Sequence, residues 1–361
     1  MYLTGPEDTE DNPVSPHLSL FYSRLGLTPQ HTSLLSTIPA VTSGKVLVTG
    51  ANGFVASWVV KHLLEAGYSV RGTVRSQSKV PHLQKTFGYG DKVEFVVVDD
   101  ITRPGAFDEY VKDVDAIEHT AAPYHFNFED PNDYIRPAVQ GTINILESAL
   151  KFGKNLKRVV VASSVAAVQT VGLTEVRTHT EKDWNEQSIK EVETKGKAAE
   201  AVDKYCASKT LGEKAAFDFV EKHKGEIGWD VAAVSPPFIF GPVIHDVSEP
   251  SKLNSSMDTW YTTVMKGTAD KETLGEHWKE VAGGNRFITS AGNWKGQDLV
   301  NAARKIDPSI HPGSLDYKPE KAVHLVVFDN TKSREVLGLK YHTLEETSKA
   351  ILDDFKAKGW W

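Results

Sequence analysis

The sequence predicts an α/β fold: a doubly wound parallel sheet with a smaller mixed α/β part at its C-terminal end. Three observations predict it. From Lys45 onward, short apolar runs rich in Val and Ile alternate with longer amphipathic stretches, the pattern of buried strands joined by crossover helices. The first run leads at once into "VTGANGFVAS", residues 48–57, where Gly50 and Gly53 mark a tight turn between strand and helix. The alternation then weakens after Gly241.

In chain order, Lys45–Thr49 reads as a strand and Val55–Glu65 as a helix stopped by Gly67. Ser69–Val74 is a strand, Lys79–Phe87 a short helix, Val93–Val98 a strand and Gly105–Lys112 a helix. Strand Ala116–Thr120 precedes the long helix Tyr134–Phe152, and strand Arg158–Ala162 precedes the long helix Val202–Lys222. Asp230–Val234 closes the regular series. Beyond it, Arg286–Ser290 and Ala322–Phe328 are strand-like, and Leu344–Lys358 is the last helix. The predicted division is 44–241 for the alternating domain and 242–361 for a substrate-binding part partly interleaved with it. Residues 1–43, rich in Ser, Thr and Pro with early acids, read as a disordered extension.

Of the 361 residues 40% are hydrophobic and 25% charged, enough for a sizeable core. A net charge of −7 gives no electrostatic case for nucleic acid or an anionic membrane. No apolar run approaches the roughly 18 residues that a membrane span requires. The lone Cys206 cannot form a disulfide within the chain, and points to a reducing, cytoplasmic compartment. No metal-ligand pattern stands out. The two long helices leave monomer and homodimer both open.

A strand, a glycine turn and a helix make a dinucleotide site of Rossmann type. Gly50 permits the turn, and Gly53 lets the backbone approach a pyrophosphate seated on the helix N-terminus near Val55. Ala56 stands where a third glycine is usual and is small enough for close packing. NAD sites place an acid about 20 residues on, against the ribose. Here no Asp or Glu occurs between Glu65 and Asp91, and "VRGTVRSQSK" brings Arg71, Arg75 and Lys79 instead. Cations suit a 2′-phosphate, so the expected cofactor is NADP, with Arg75 the main contact.

"YCASK" puts Tyr205 and Lys209 on one helix face. A phenol titrates near 10 in isolation, and a neighbouring ammonium lowers that value, which makes Tyr205 a candidate general acid. Ser163 and Ser164 end the fifth strand at the sheet edge where ligands bind, and a hydroxyl there could hold a substrate oxygen.

With these motifs, and with "VVVDDI", "HTAAP", "ASSVAAV", "YCASKTLGEKAA" and "SPPFIFGP", the chain resembles the extended short-chain dehydrogenase/reductases from about Lys45 to its end. Within them it is similar to the branch of dihydroflavonol reductases, cinnamoyl-CoA reductases and fungal aldehyde and ketone reductases. The resemblance implies NADPH-dependent reduction of a small-molecule aldehyde or ketone, with Tyr205 as proton donor beside Ser164 and Lys209. It implies a pyrophosphate cradle of Gly50, Asn52, Gly53, Phe54 and Val55, with Arg75 and Lys79 at the 2′-phosphate. Asp100 and Ile101 would flank the adenine. Thr120, Ala121, Ala122 and Lys209 would line the nicotinamide ribose, Pro236 and Ile239 would meet the carboxamide, and Ser163 and Tyr205 would also touch the cofactor. Tyr124 and Phe126 would line the substrate pocket. Where the family carries a short strand and about three turns of helix, Trp278 runs straight into Lys279, an apparent deletion on the substrate side. A nucleotide-sugar epimerase or dehydratase, and a catalytically impaired NADP-binding protein, are the alternatives.

Overall fold

The structure, a computed structural model, describes residues 41–122, 129–267 and 285–361. Tyr124, Phe126, the Trp278–Lys279 junction and all but 41–43 of the expected disordered extension lie outside the described residues. Val41 belongs to the body: its carbonyl accepts the Tyr68 hydroxyl at 2.7 Å.

The first half contains β1 (Lys45–Thr49), α1 (Phe54–Glu65), β2 (Ser69–Val74), α2 (Val80–Thr86), β3 (Val93–Val97), β4 (Ala116–His119), α3 (Asn132–Phe152) and β5 (Arg158–Ala162). Then come β6 (Arg177–His179), α4 (Glu186–Lys195), α5 (Ala201–Lys222) and β7 (Asp230–Ser235). The C-terminal part adds α6 (Ser255–Tyr261), β8 (Arg286–Ile288), α7 (Gly296–Ile306), β9 (Val326–Phe328), α8 (Thr331–Leu337) and α9 (Leu344–Ala357).

One seven-stranded sheet runs in the order β3-β2-β1-β4-β5-β7-β8. Every described pairing in it is parallel, so all strand C-termini reach the same edge. Strand order reverses between β1 and β4, and ligands bind at such a switch point. Side-chain alternation builds a core on each face. Leu47, Ile117 and Val159 pack with Ile145, Leu146 and Phe219 of α3 and α5. Val46, Val48 and Val70 pack on the other face with Val60, Leu64 and Leu83 of α1 and α2. A third cluster joins Trp260, Trp294, Leu299, Ile351 and Phe355 of the C-terminal part to Phe54 at the start of α1.

Two features differ from expectation. Gly105–Lys112 forms successive turns, not a helix, with three-residue bonds such as Ala106 N to Arg103 O at 3.1 Å and Asp108 N to Gly105 O at 3.1 Å. The Tyr110 and Lys112 carbonyls each accept from the Arg71 guanidinium at 2.9 Å, and Phe107 and Val111 are anchored in the core. The chain between Ala162 and Val202, left without elements, contains β6 and α4; β6 is paired in parallel with the distant β9. A three-residue strand has too few positions to show a period of two.

Candidate active site

The glycine turn is held from β2 and shaped from β4. The Gly50 amide donates to Thr73 Oγ1 at 3.1 Å and the Ala51 amide to the Thr73 carbonyl at 2.8 Å. Gly50 has φ +66°, and a Cβ there would lie 3.3 Å from Ala121. A Cβ on Gly53 would lie 3.3 Å from the Gly50 carbonyl. Asn52 sits half-buried between them. The twelve-residue helix α1 starts without a side-chain cap, so its first amides are left for a ligand. Gly50, Gly53 and the first residues of α1, Phe54, Val55 and Ala56, line a cleft of about 960 Å³.

Behind the turn, Thr49 Oγ1 accepts the amides of Thr120 at 3.1 Å and Ala121 at 3.0 Å and lies 3.0 Å from His119 Nδ1. A hydroxyl has two acceptor sites, so its own hydrogen goes to Nδ1. That agrees with a neutral imidazole: burial, and then the Lys209 charge, push His119 down to about 4. This relay sets the backbone of Thr120, Ala121 and Ala122; Thr120 and Ala122 reach the cleft.

Cations at the tip of β2 have separate fates. Arg75 is exposed and forms no hydrogen bond or ion pair with the other described residues. Lys79 pairs with Asp246 at 3.1 Å on the surface. Arg71, expected beside them, belongs to another site. Its guanidinium is held by Glu94 at 2.8 Å and Asp113 at 3.0 Å, and so it is not available to a phosphate. At the end of β3, Asp100 accepts the Thr102 amide at 2.8 Å and its hydroxyl at 2.7 Å, which holds its carboxyl below the usual range. The Ile101 carbonyl accepts from Asn144 of α3 at 2.8 Å.

The reactive side of the cleft comes from β5, α5 and the chain after β7. Ser164 caps a short 3-10 turn, its Oγ accepting the Ala166 amide at 3.1 Å; its O–H is left to donate into the cleft. Ser163 is not its equivalent: its hydroxyl turns to Glu213 Oε2 at 2.5 Å and so is not available to the cleft. Tyr205 is 8% exposed on the cleft wall. One helical turn on, Lys209 Nζ donates to the Ala162 carbonyl at 3.2 Å. Burial pushes Lys209 down to about 8, with Glu213 opposing. Pro236 and Ile239 complete this wall, and the Pro236 carbonyl accepts the Val165 amide at 3.1 Å. Val202, Leu325 and Val326 give the far side an apolar surface.

The structure thus brings the glycine turn, Ser164, Tyr205 and Lys209 to one cleft, with Arg75, Lys79, Asp100 and Ile101 outside its walls at the tips of β2 and β3. Sequence reasoning missed His119, Glu213, Arg286 and His245. His119 opens the quoted "HTAAP", and Glu213 follows Lys209 at helical i+4 spacing. Arg286 and His245 carry no local signal.

A parallel sheet with a glycine turn at its switch point and a buried Tyr–Lys pair on the same cleft defines a dinucleotide-dependent oxidoreductase of Rossmann type. Residues 46–275 match the model of the NAD dependent epimerase/dehydratase family, and the chain belongs to that family. It is 34% identical over 337 residues to a ketoreductase of Aspergillus niger, covering 83% of this chain and 94% of the relative. It is 32% identical over 328 residues to the NADPH-dependent methylglyoxal reductase of Saccharomyces cerevisiae, covering 84% and 95%. Among solved structures, the yeast methylglyoxal/isovaleraldehyde reductase complexed with NADPH superposes with a TM-score of 0.77 at 29% identity, over 87% of this chain and 99% of that one. Alfalfa vestitone reductase superposes with a TM-score of 0.70 at 26% identity, over 88% and 100%.

Proposed function

We propose that this chain is an NADPH-dependent carbonyl reductase that converts an aldehyde or ketone to an alcohol, with Tyr205 as proton donor. One observation carries it: Ser164, Tyr205 and Lys209 share a cleft with the glycine turn. The residues fit the cofactor. Uncapped amides of α1 and the close backbone at Gly50 and Gly53 suit a pyrophosphate, and Arg75 is free for a 2′-phosphate. Gly50, Asn52, Gly53, Phe54 and Val55 would hold the former. When bound, the reduced nicotinamide supplies the hydride.

The chain's own residues do the rest. Ser164 donates a hydrogen bond to the substrate oxygen, fixing it beside Tyr205. Tyr205 gives that oxygen its proton, and the Lys209 ammonium stabilises the phenolate left behind. Lys209 also binds the ribose. The apolar wall at Val202, Leu325 and Val326 shields the reaction from water.

Sugar dehydratases need an acid near the reacting hydroxyl, and Ser164 is followed by Val165, Ala166 and Ala167. The test is NADPH oxidation against a panel of aldehydes and ketones; no turnover with any of them would leave the family's other chemistries. We also read the Trp278–Lys279 junction as a deletion that slows turnover and leaves NADPH binding intact. It is supported by the alignment with the Aspergillus niger ketoreductase. That alignment runs over 337 positions yet takes in 83% of this chain, fewer residues than positions, so the relative has stretches this chain lacks. Inserting a family-type strand and helix there should raise both turnover and melting temperature. Equal values in the two chains would remove that reading.

A further inference from the structure

Beneath the catalytic wall lies a buried polar assembly that the reaction as described does not use. Glu213, on α5 one turn beyond Lys209, has a side chain with no exposed surface. One carboxylate oxygen accepts Arg286 Nε at 2.5 Å, and the other accepts the Ser163 hydroxyl at 2.5 Å and Arg286 Nη2 at 3.4 Å. Arg286, on β8, is itself fixed: it stacks 3.5 Å above the Trp184 ring and donates to the Glu181 and Asp183 carbonyls at 2.9 and 2.5 Å. Glu213, Lys209, Ser163 and His119 line one small cavity of about 20 Å³, room for about a single water. A fully buried ion pair is weak evidence for stability, since apolar residues of similar size often do as well. Its place matters more. The carboxylate's other hydrogen-bond partner, Ser163, precedes Ser164, and Lys209, one helical turn before Glu213, lines the same small cavity.

We infer that Glu213 is a positioning residue for the catalytic group: its carboxylate, anchored by Arg286, fixes the Ser163–Ser164 bend and sets a negative charge in the small cavity it shares with Lys209, one helical turn away. The inference rests on the proposed role of Tyr205. Lys209 is faced by His119 from β4, which is neutral, by Tyr205 and Glu213 from its own helix, and by Arg286 from β8 behind Glu213. Glu213 is the one anion in that set. Burial favours the neutral amine and Glu213 favours the ammonium, so the carboxylate extends the pH range in which Lys209 keeps its charge.

The test is the pH profile of kcat/KM in the full chain with NADPH and a reducible aldehyde. Glu213→Gln keeps shape and hydrogen-bonding capacity but removes the charge. The alkaline limb should move down by about one pH unit, with near-normal rates at pH 6.5. Glu213→Asp, which keeps the carboxylate, should restore the limb even if its overall rate is lower. If Glu213→Gln fails to fold, the matched apolar pair Glu213→Met with Arg286→Met should fold and show a downward limb, smaller because the Arg286 charge goes with the carboxylate. An unmoved limb, or a rate reduced equally at every pH, overturns the inference, because loss of structure alone has no such pH signature. Tyr205→Phe, run alongside, separates the layers. If it is inactive while the Glu213→Gln limb stays in place, only this inference fails. If it remains active, the reading beneath it fails.

Discussion

In the proposed function, the two halves of the site recognise by different physics. On the cofactor side, the glycine turn and the tip of β2 offer backbone amides and an exposed guanidinium, Arg75, and the contacts come from one stretch of about 30 residues. On the reactive side, Ser163, Ser164, Tyr205, Lys209, Glu213 and His119 are mostly buried and belong to three elements. The proton-moving groups are strongly shifted, Lys209 down to about 8 and His119 down to about 4, both led by burial, whereas on the cofactor side the comparable shift is that of His245 against Phe54, a group that offers a phosphate no charge. Binding a phosphate takes a donor surface that water has not fully claimed. Moving a proton takes groups whose charged forms the protein itself has made easier or harder to reach.

If that contrast is right, the largest effect belongs to Tyr205→Phe. It should lower kcat by about 10²–10⁴-fold while leaving NADPH affinity nearly unchanged, measured by steady-state rates and nicotinamide fluorescence. A variant that keeps most of its rate would erase the distinction between the halves.

Next comes the pH dependence of stability. His119 has a folded value of about 4, below its unfolded value near 6.5, so the unfolded chain takes up the proton first as pH falls. Stability is therefore full above about pH 6.5 and is lost between there and pH 4, by up to roughly 3 kcal/mol. His245, pushed down to about 4 chiefly by burial, acts in the same direction. Urea melts at pH 7, 5.5 and 4 would show the slope, and His119→Asn should flatten part of it.

Arg75→Ala should weaken NADPH by about 1.5–3 kcal/mol and leave NADH almost untouched. Arg71→Met is the control, since its guanidinium is spent on Glu94, Asp113 and two carbonyls. It should lower the melting temperature without altering cofactor preference. The smallest effect is Lys79→Ala, below about 1 kcal/mol for NADPH, because Lys79 is an exposed cation already paired with Asp246.

The chain's local patterns were sufficient for the sheet and for the parts of the site that are contiguous in sequence. Short apolar runs and the amphipathic stretches between them place β1 to β5, β7 and the long helices within a residue or two of where they lie. The turn at Gly50 and the Tyr205–Lys209 spacing were legible for the same reason: each depends on neighbours a few residues away. What tertiary structure alone decided are choices between like residues. Arg71 lies on β2 and Arg75 just past its end, four residues on, but the turns after Gly105 take Arg71 and leave Arg75 in solvent. Ser163 and Ser164 are adjacent, but Glu213 takes one and leaves the other to the cleft. The turns at Gly105–Lys112, the pairing of β6 with β9 and the Glu213–Arg286 anchor are of the same kind. Each rests on a partner tens of residues away, and a buried hydrogen bond or ion pair is settled by what the fold brings within 3 Å, a distance no local spacing encodes.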